Sequence, residues 1–228
     1  MDTEPLTTPI LFLSGAGLPA WIWDEVRAAL PVYSVVAAYP RRADATLRDY
    51  ADTALAQAPA DPFTIVAHSI GGVVASQIAS TAPERVNGLL GIAASFPTAG
   101  TSFLAASPTP QRVLLSLIMR LAGTRPPEKA IRAGQCAGLD EEITARIVAE
   151  FEPESSRLYR DNVPARTFPT HSGYVVTTAD RQLPEALQHK HATELGPGFR
   201  RELPTGHLPM LQDPAALAKT IQKFTASA

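Results

Sequence analysis

The sequence predicts an α/β domain built on a mostly parallel, doubly wound sheet of about six strands, with an inserted helical cap. Three observations carry this. Short, nearly all-apolar runs alternate with helix-length segments through the first hundred residues, the pattern of parallel strands covered on both faces. The alternation stops after Phe96 and resumes near Gly173. The chain's 228 residues exceed the usual domain of about 150, which one domain carrying an insertion accommodates.

In chain order, strands are expected at 10–13, 33–37, 63–67 and 86–93, with helices at 20–30, 46–57 and 70–81 between them. Right-handed crossovers then place the helices on both faces of the sheet. Pro97, Pro108 and Pro110 mark the entry to a strongly apolar helix at 111–121. Further helices are expected at 127–133 and 140–150, followed by a polar, proline-marked exit at 162–169. The core is therefore read as 1–96 and 169–228 and the cap as 97–168. After the cap come a strand at 173–178, a helix at 184–195 opened by Pro184, a strand at 198–203 and a helix at 214–225; proline is favoured at a first helical position.

Composition excludes several functions. Hydrophobic residues make up 45% and charged residues 18%, a globular balance rather than a disordered one. Lys and Arg total 20 against 22 Asp and Glu, a net charge of -2, so no global field attracts nucleic acid or an anionic membrane. Cys136 is the single cysteine, and the five histidines show no zinc spacing, so neither an intrachain disulfide nor a metal centre is expected. The apolar stretch 113–123 is interrupted by Ser116 and Arg120 and falls short of the roughly 18 residues that span a bilayer. An acidic start and an apolar run of only 10–13 do not make a signal peptide, and a cytoplasmic location is expected.

The strongest chemical signal is Phe63-Thr-Ile-Val-Ala-His-Ser-Ile-Gly-Gly72, a strand entering small-x-Ser-x-Gly and then a helix. A sharp strand-to-helix turn lifts a serine Oγ clear of the sheet but crowds the residues two before and two after it. Ala67 and Gly71 meet that demand, which makes Ser69 the candidate nucleophile over a mere helix cap. The turn also brings the Ile70 N–H and a helix N-terminus beside a reacting carbonyl. A second oxyanion donor is expected from the loop Leu13-Ser-Gly-Ala-Gly17, where glycines permit close approach; the Ala16 N–H is the candidate. The same glycines lack the third glycine and the acidic residue of a dinucleotide fingerprint.

A nucleophilic serine needs a base at the same sheet edge. His68 lies in the elbow and points away from Ser69, His171 precedes a strand, and His189 and His191 fall on an amphipathic helix, where solvation is expected. His207 alone follows a late strand, in Leu203-Pro-Thr-Gly-His-Leu-Pro-Met210. The orienting acid should follow a strand between serine and histidine. Asp180, closing Gly173-Tyr-Val-Val-Thr-Thr-Ala-Asp180, fits; Asp161, Glu152 and Glu154 lie in the cap and are weaker candidates. In such a set the acid fixes the imidazole tautomer and stabilises the imidazolium.

Three stretches give the chain a resemblance to the α/β-hydrolase superfamily, within it to the small capped esterases of the plant methylesterase and hydroxynitrile lyase group. Ser14-Gly-Ala-Gly-Leu-Pro-Ala-Trp-Ile-Trp23 is similar to the family's His-Gly-Ala followed by Trp-x-Trp, with Trp21 and Trp23 packing behind the loop. Ala67-His-Ser-Ile-Gly-Gly72 resembles its elbow, and Val175-Val-Thr-Thr-Ala-Asp-Arg-Gln-Leu-Pro184 its strand-Glu-Asp-x-x-x-Pro. Ser14 stands where the family usually has His, and Ala67 where it has Gly. The group's lyases carry a threonine in the oxyanion segment and a lysine after the histidine; Gly15 and Leu208 here favour ester hydrolysis. A serine nucleophile argues against the related dehalogenases and epoxide hydrolases, which need a carboxylate. The resemblance implies a cofactor-free serine esterase, and the apolar cap helix a small hydrophobic ester as its substrate. Two alternatives on the same fold are a lyase, cyclase or acyltransferase of secondary metabolism and a ligand-binding receptor. The 111–121 helix is apolar all round, and Leu115, Ile118 and Met119 are expected to line the substrate pocket.

Overall fold

The computed structural model describes residues 8–106, 116, 117, 119, 123–196 and 198–227. Six strands, β1 (Ile10–Leu13), β2 (Ser34–Val36), β3 (Phe63–His68), β4 (Val86–Ile92), β5 (Ser172–Thr177) and β6 (Phe199–Leu203), form one sheet in the order β2-β1-β3-β4-β5-β6. Every neighbouring pair is parallel. The order reverses between β1 and β3, and a crevice at such a switch point is where open α/β sheets hold ligands.

The apolar runs read as two-faced strands because they are. Leu11, Leu13, Ile65, Ala67, Leu89, Tyr174 and Val176 face one buried cluster, with α2 (Leu47–Gln57) and α3 (Gly71–Thr81) over them. Ile10, Phe12, Val66, Leu90, Ile92 and Val175 face the other, under the 3₁₀ turn Ala20–Trp23, α1 (Asp24–Ala28) and the C-terminal helix Pro214–Thr225. Adjacent strand residues thus alternate between clusters, as the two-residue period of a strand requires. Replacing one fully buried leucine such as Leu11 by alanine would cost about 2–5 kcal/mol. The outer strand β6 is Phe-Arg-Arg-Glu-Leu, charged as an exposed edge should be.

Helix starts are set by local chemistry. Thr46 and Asp49 form a reciprocal capping box at α2, and Asp213 accepts from the Ala216 N–H ahead of Pro214; both devices satisfy otherwise unpaired first-turn donors. The expected helix at 20–30 is a 3₁₀ turn followed by the five-residue α1. Between β4 and β5 lie α4 (Phe103–Ala106), α5 (Glu128–Ala133), α6 (Glu141–Glu150) and α7 (Ser156–Arg160). Most of the expected helix 111–121, with Leu115 and Ile118, lies outside the described residues; Met119 is helical and buried. The chain then completes α8 (Glu185–Leu195), α9 (Pro209–Gln212) and α10 (Pro214–Thr225). No helix among the described residues is long and apolar enough to cross a membrane.

Candidate active site

The site is assembled from four loops at the carboxyl edge of the sheet. The β3–α3 turn is the tightest. Ser69 has φ 53°, a left-handed conformation costing a non-glycine residue about 1–2 kcal/mol, so the neighbours must force it. They do so by leaving no space for side chains. A Cβ on Gly71 would lie 2.4 Å from the Leu13 carbonyl oxygen, and one on Gly72 2.5 Å from that of Ser95. Both contacts are backbone, so neither glycine can be enlarged without moving the main chain. Ala67 is fully buried between Leu13 on β1 and Gly91 on β4.

Beyond Ser69 the structure brings all three predicted side chains into one hydrogen-bonded row. His207 Nε2 lies 3.0 Å from Ser69 Oγ, and His207 Nδ1 lies 2.8 Å from Asp180 Oδ2. The last contact is shielded, with side-chain exposures of 1% for His207 and 0% for Asp180. Asp180 Oδ1 accepts from the Gln182 and Leu183 amides at 2.7 and 2.9 Å, and Oδ2 also accepts from Thr177 Oγ1 at 3.0 Å. Burial opposes ionisation of this carboxyl, but hydrogen bonds from His207, Leu183 and Gln182 outweigh it and hold its pKa below the ordinary value. An ionised Asp180 can only accept, so Nδ1 carries the proton and the Nε2 lone pair faces Ser69.

Residues that no motif disclosed hold the row in place. Gln188 on α8 is fully buried; its amide bonds the Thr177 N–H, hydroxyl and carbonyl and the Leu183 carbonyl. It fixes both ends of the turn that carries Asp180. The signal in the sequence was a glutamine on the same helical face as Ala192 and Leu195. Thr178 and Ala179 amides bond the Leu203 and Thr205 carbonyls, tying the Asp180 loop to the His207 loop. Gln212 on α9 accepts from the Gly206 N–H at 2.5 Å, bracing the residue before His207.

His68, the residue before Ser69, braces His207. Its Nε2 donates to the His207 carbonyl at 2.8 Å, and the two rings lie 4.7 Å apart. Burial, then the neighbouring His207, pushes the His68 pKa down from 6.5 to about 3. Below pH 6.5 the unfolded chain therefore binds a proton that the folded chain refuses. Stability should fall by about 1.4 kcal/mol per pH unit from this group as pH drops below 6.5, until about pH 3. Urea midpoints at pH 7.5 and 5.5, compared between the wild type and His68→Gln, would measure it. An identical pH dependence in both proteins would mean that folding does not lower the His68 pKa.

The other histidines sort differently from expectation in one case. His171 stacks on Phe224 at the opposite sheet edge, and His189 is exposed beside Glu185. His191 is not solvated: it is 2% exposed, with Nδ1 3.2 Å from both the Phe96 N and O atoms. The buried face of α8 is Gln188, His191, Ala192 and Leu195, so the helix turns one polar pair inward. The weaker acid candidates are engaged elsewhere: Asp161 accepts from the Leu47 N–H, Glu152 pairs with Arg41, and Glu154 accepts from Tyr50 and Gly17.

The β1 loop lies directly against the elbow. A Cβ on Gly15 would sit 3.0 Å from Ser69 Cβ and 2.9 Å from His68 Nδ1. Ser14 Oγ accepts from Trp23 Nε1 at 3.0 Å, and the Ser14 carbonyl from Tyr39 at 3.0 Å. Trp23 is fully buried behind the loop, while Trp21 lies under the Arg146 guanidinium, 3.9 Å from its ring centre. Neither the Ala16 nor the Ile70 N–H has an internal acceptor among the described residues. A cavity of about 660 Å³ adjoins Ser14, Gly17, Tyr39 and Glu154, but Ser69, Asp180 and His207 do not line it.

Comparison with known proteins agrees with this architecture. A pimeloyl-[acyl-carrier protein] methyl ester esterase from Pectobacterium carotovorum is 38% identical over 96 residues, 39% of this chain and 37% of that protein. A probable esterase, PIR7A, of indica rice is 31% identical over 105 residues, 40% of either chain. The match thus spans about two fifths of each curated relative. An extracellular alpha/beta-hydrolase from a Paenibacillus species superposes with a TM-score of 0.77 at 18% identity, over 95% of this chain and 98% of that one. The alpha/beta hydrolase family model matches residues 10–220, nearly the whole fold from β1 into the last helix, and the chain belongs to that family.

Proposed function

We propose that this protein is a serine esterase in which Ser69 is the nucleophile, His207 the general base and Asp180 the residue that orients it. The observation that carries the reading is the unbroken row from Asp180 Oδ2 through His207 to Ser69 Oγ, at 2.8 and 3.0 Å. His207 Nε2 takes the Ser69 proton as Oγ attacks the carbonyl carbon, and Asp180 stabilises the imidazolium. The Ala16 and Ile70 amides hold the resulting oxyanion, aided by the N-terminus of α3. His207 returns the proton to the departing alcohol, and water, deprotonated by the same imidazole, releases the acid and regenerates Ser69.

Residues 97–168 serve as a cap over this edge, with the buried Met119 among the groups facing the substrate. The substrate is a small, uncharged hydrophobic ester. The names of the curated relatives, a methyl ester esterase and a probable esterase, support hydrolysis over the lyase, acyltransferase and receptor alternatives. The chain's own residues supply every proton transfer in this sequence of steps.

Intact-mass analysis after a fluorophosphonate probe, on wild type and Ser69→Ala side by side, tests the nucleophile. One phosphonyl adduct on the wild type alone is expected. If neither protein is labelled, even by a smaller sulfonyl fluoride, the esterase reading fails and a binding protein on this fold is favoured. A panel of p-nitrophenyl esters then tests the substrate class: turnover should be best for uncharged acyl chains, and preference for small charged esters would overturn it.

A further inference from the structure

The peptide unit joining Ala16 to Gly17 is held at both ends by the segment between β4 and β5. Gln135 Nε2 donates to the Ala16 carbonyl at 3.3 Å, and the Gly17 N–H donates to Glu154 Oε1 at 3.2 Å. These two groups belong to one planar unit, so pinning both fixes its orientation. Gly17 has φ 72°, and a Cβ there would lie 2.2 Å from the Phe151 ring. The Glu152 N–H adds a bond to the Gly17 carbonyl at 3.3 Å. On its other side the loop rests through Gly15 on Ser69. The Ala16 N–H therefore lies between two immobilised points.

We propose that Gln135 and Glu154 are positioning residues for the oxyanion donor, so that the β4–β5 segment sets the rate of the chemical step as well as covering the site. The inference rests on the esterase reading above. Two features favour this role over ordinary packing. Glu154 is a partly buried carboxylate with no salt-bridge partner among the described residues: its partners are the Gly17 N–H and the Tyr50 hydroxyl, at 3.2 and 2.8 Å, and Tyr50 in turn accepts from the Ser155 N–H at 2.8 Å. Burial raises its pKa, while the bonds from Tyr50 and Gly17 oppose the rise. A charged acceptor makes a stronger bond to a backbone amide than a neutral one. Gln135 is only 8% exposed, and its Oε1 is buried with no partner among the described residues. An apolar side chain of that size would avoid the penalty of the unpaired oxygen; what glutamine adds is the bond to Ala16.

The experiment compares Gln135→Leu, Glu154→Leu and Glu154→Gln in the full chain, with p-nitrophenyl butyrate as substrate and an alkyl trifluoromethyl ketone as inhibitor. The ketone forms a tetrahedral oxyanion adduct with an active serine, so its affinity reads the oxyanion donors directly. Each leucine variant should lower kcat by about 10- to 100-fold, less than deleting a donor outright. The KM should stay within about twofold, and the inhibition constant should rise in step with the fall in kcat. Glu154→Gln keeps one acceptor oxygen for the Gly17 N–H and turns its NH₂ to the Tyr50 oxygen, and should restore kcat to within about fivefold of wild type. Should Glu154→Leu fail to fold, Gln135→Leu, which leaves the Glu154 carboxylate untouched, decides the matter alone. Folded leucine variants with unchanged kcat and inhibitor affinity would overturn the clamp. So would a loss in KM alone, or a Gln variant as poor as Leu. In those cases a wild type still labelled at Ser69 leaves the esterase reading standing; a wild type that is neither labelled nor active sinks both.

Discussion

Ser69→Ala is expected to lower kcat by about 10⁴ or more with the fold intact, and His207→Ala by a similar factor. The reason is geometric. Within the described structure, the Ser69 hydroxyl is bonded to His207 alone, so its removal costs the fold one part-buried hydrogen bond and the proposed reaction its nucleophile. The forced backbone at φ 53° is the same for alanine. Removing both side chains should cost scarcely more than removing one, because nucleophile and base act as a unit. Ester turnover and circular dichroism on the two single variants and the double variant check this. A folded Ser69→Ala protein with wild-type turnover would reject the mechanism.

Asp180→Asn should cost about 10³ to 10⁴ in kcat, through the wrong histidine tautomer. The surrounding donors decide which way the new amide faces. Gln182 and Leu183 both present N–H groups to Oδ1, and only the amide oxygen can accept from them. The asparagine NH₂ is then left at the Oδ2 position, 2.8 Å from His207 Nδ1. That nitrogen must become an acceptor, which moves the imidazole proton to Nε2, where it faces Ser69 and cannot abstract a proton. Fold stability should change far less than rate, since Gln188 still ties Thr177 to Leu183 at the two ends of the turn. If Asp180→Asn retained most of its activity while Asp161, Glu152 or Glu154 proved indispensable, the acid would have been misassigned.

The scaffold was legible because it depends on short-range rules. The short apolar runs and the prolines opening helices at Pro184 and Pro214 each act within a few residues. The elbow is legible for the same reason: Ala67, Ser69, Gly71 and Gly72 must be small where the turn crowds them, whatever the rest of the chain does. The helices of the β4–β5 segment were harder. Phe103–Ala106 and Ser156–Arg160 are about one turn long, too short to show a 3.6-residue period.

The amino-acid sequence by itself determined the succession of strands along the chain and the tight turn at Ser69, because hydrophobic period and turn sterics are written locally. Only the tertiary structure decided what buries His68 and His191, that Gln188 locks the turn carrying Asp180, and that Gln135 and Glu154 grip the Ala16–Gly17 peptide from 119 and 137 residues away. A buried polar group carries no periodic mark of its partner. Its pairing is fixed only when packing has closed off water and left one donor opposite one acceptor.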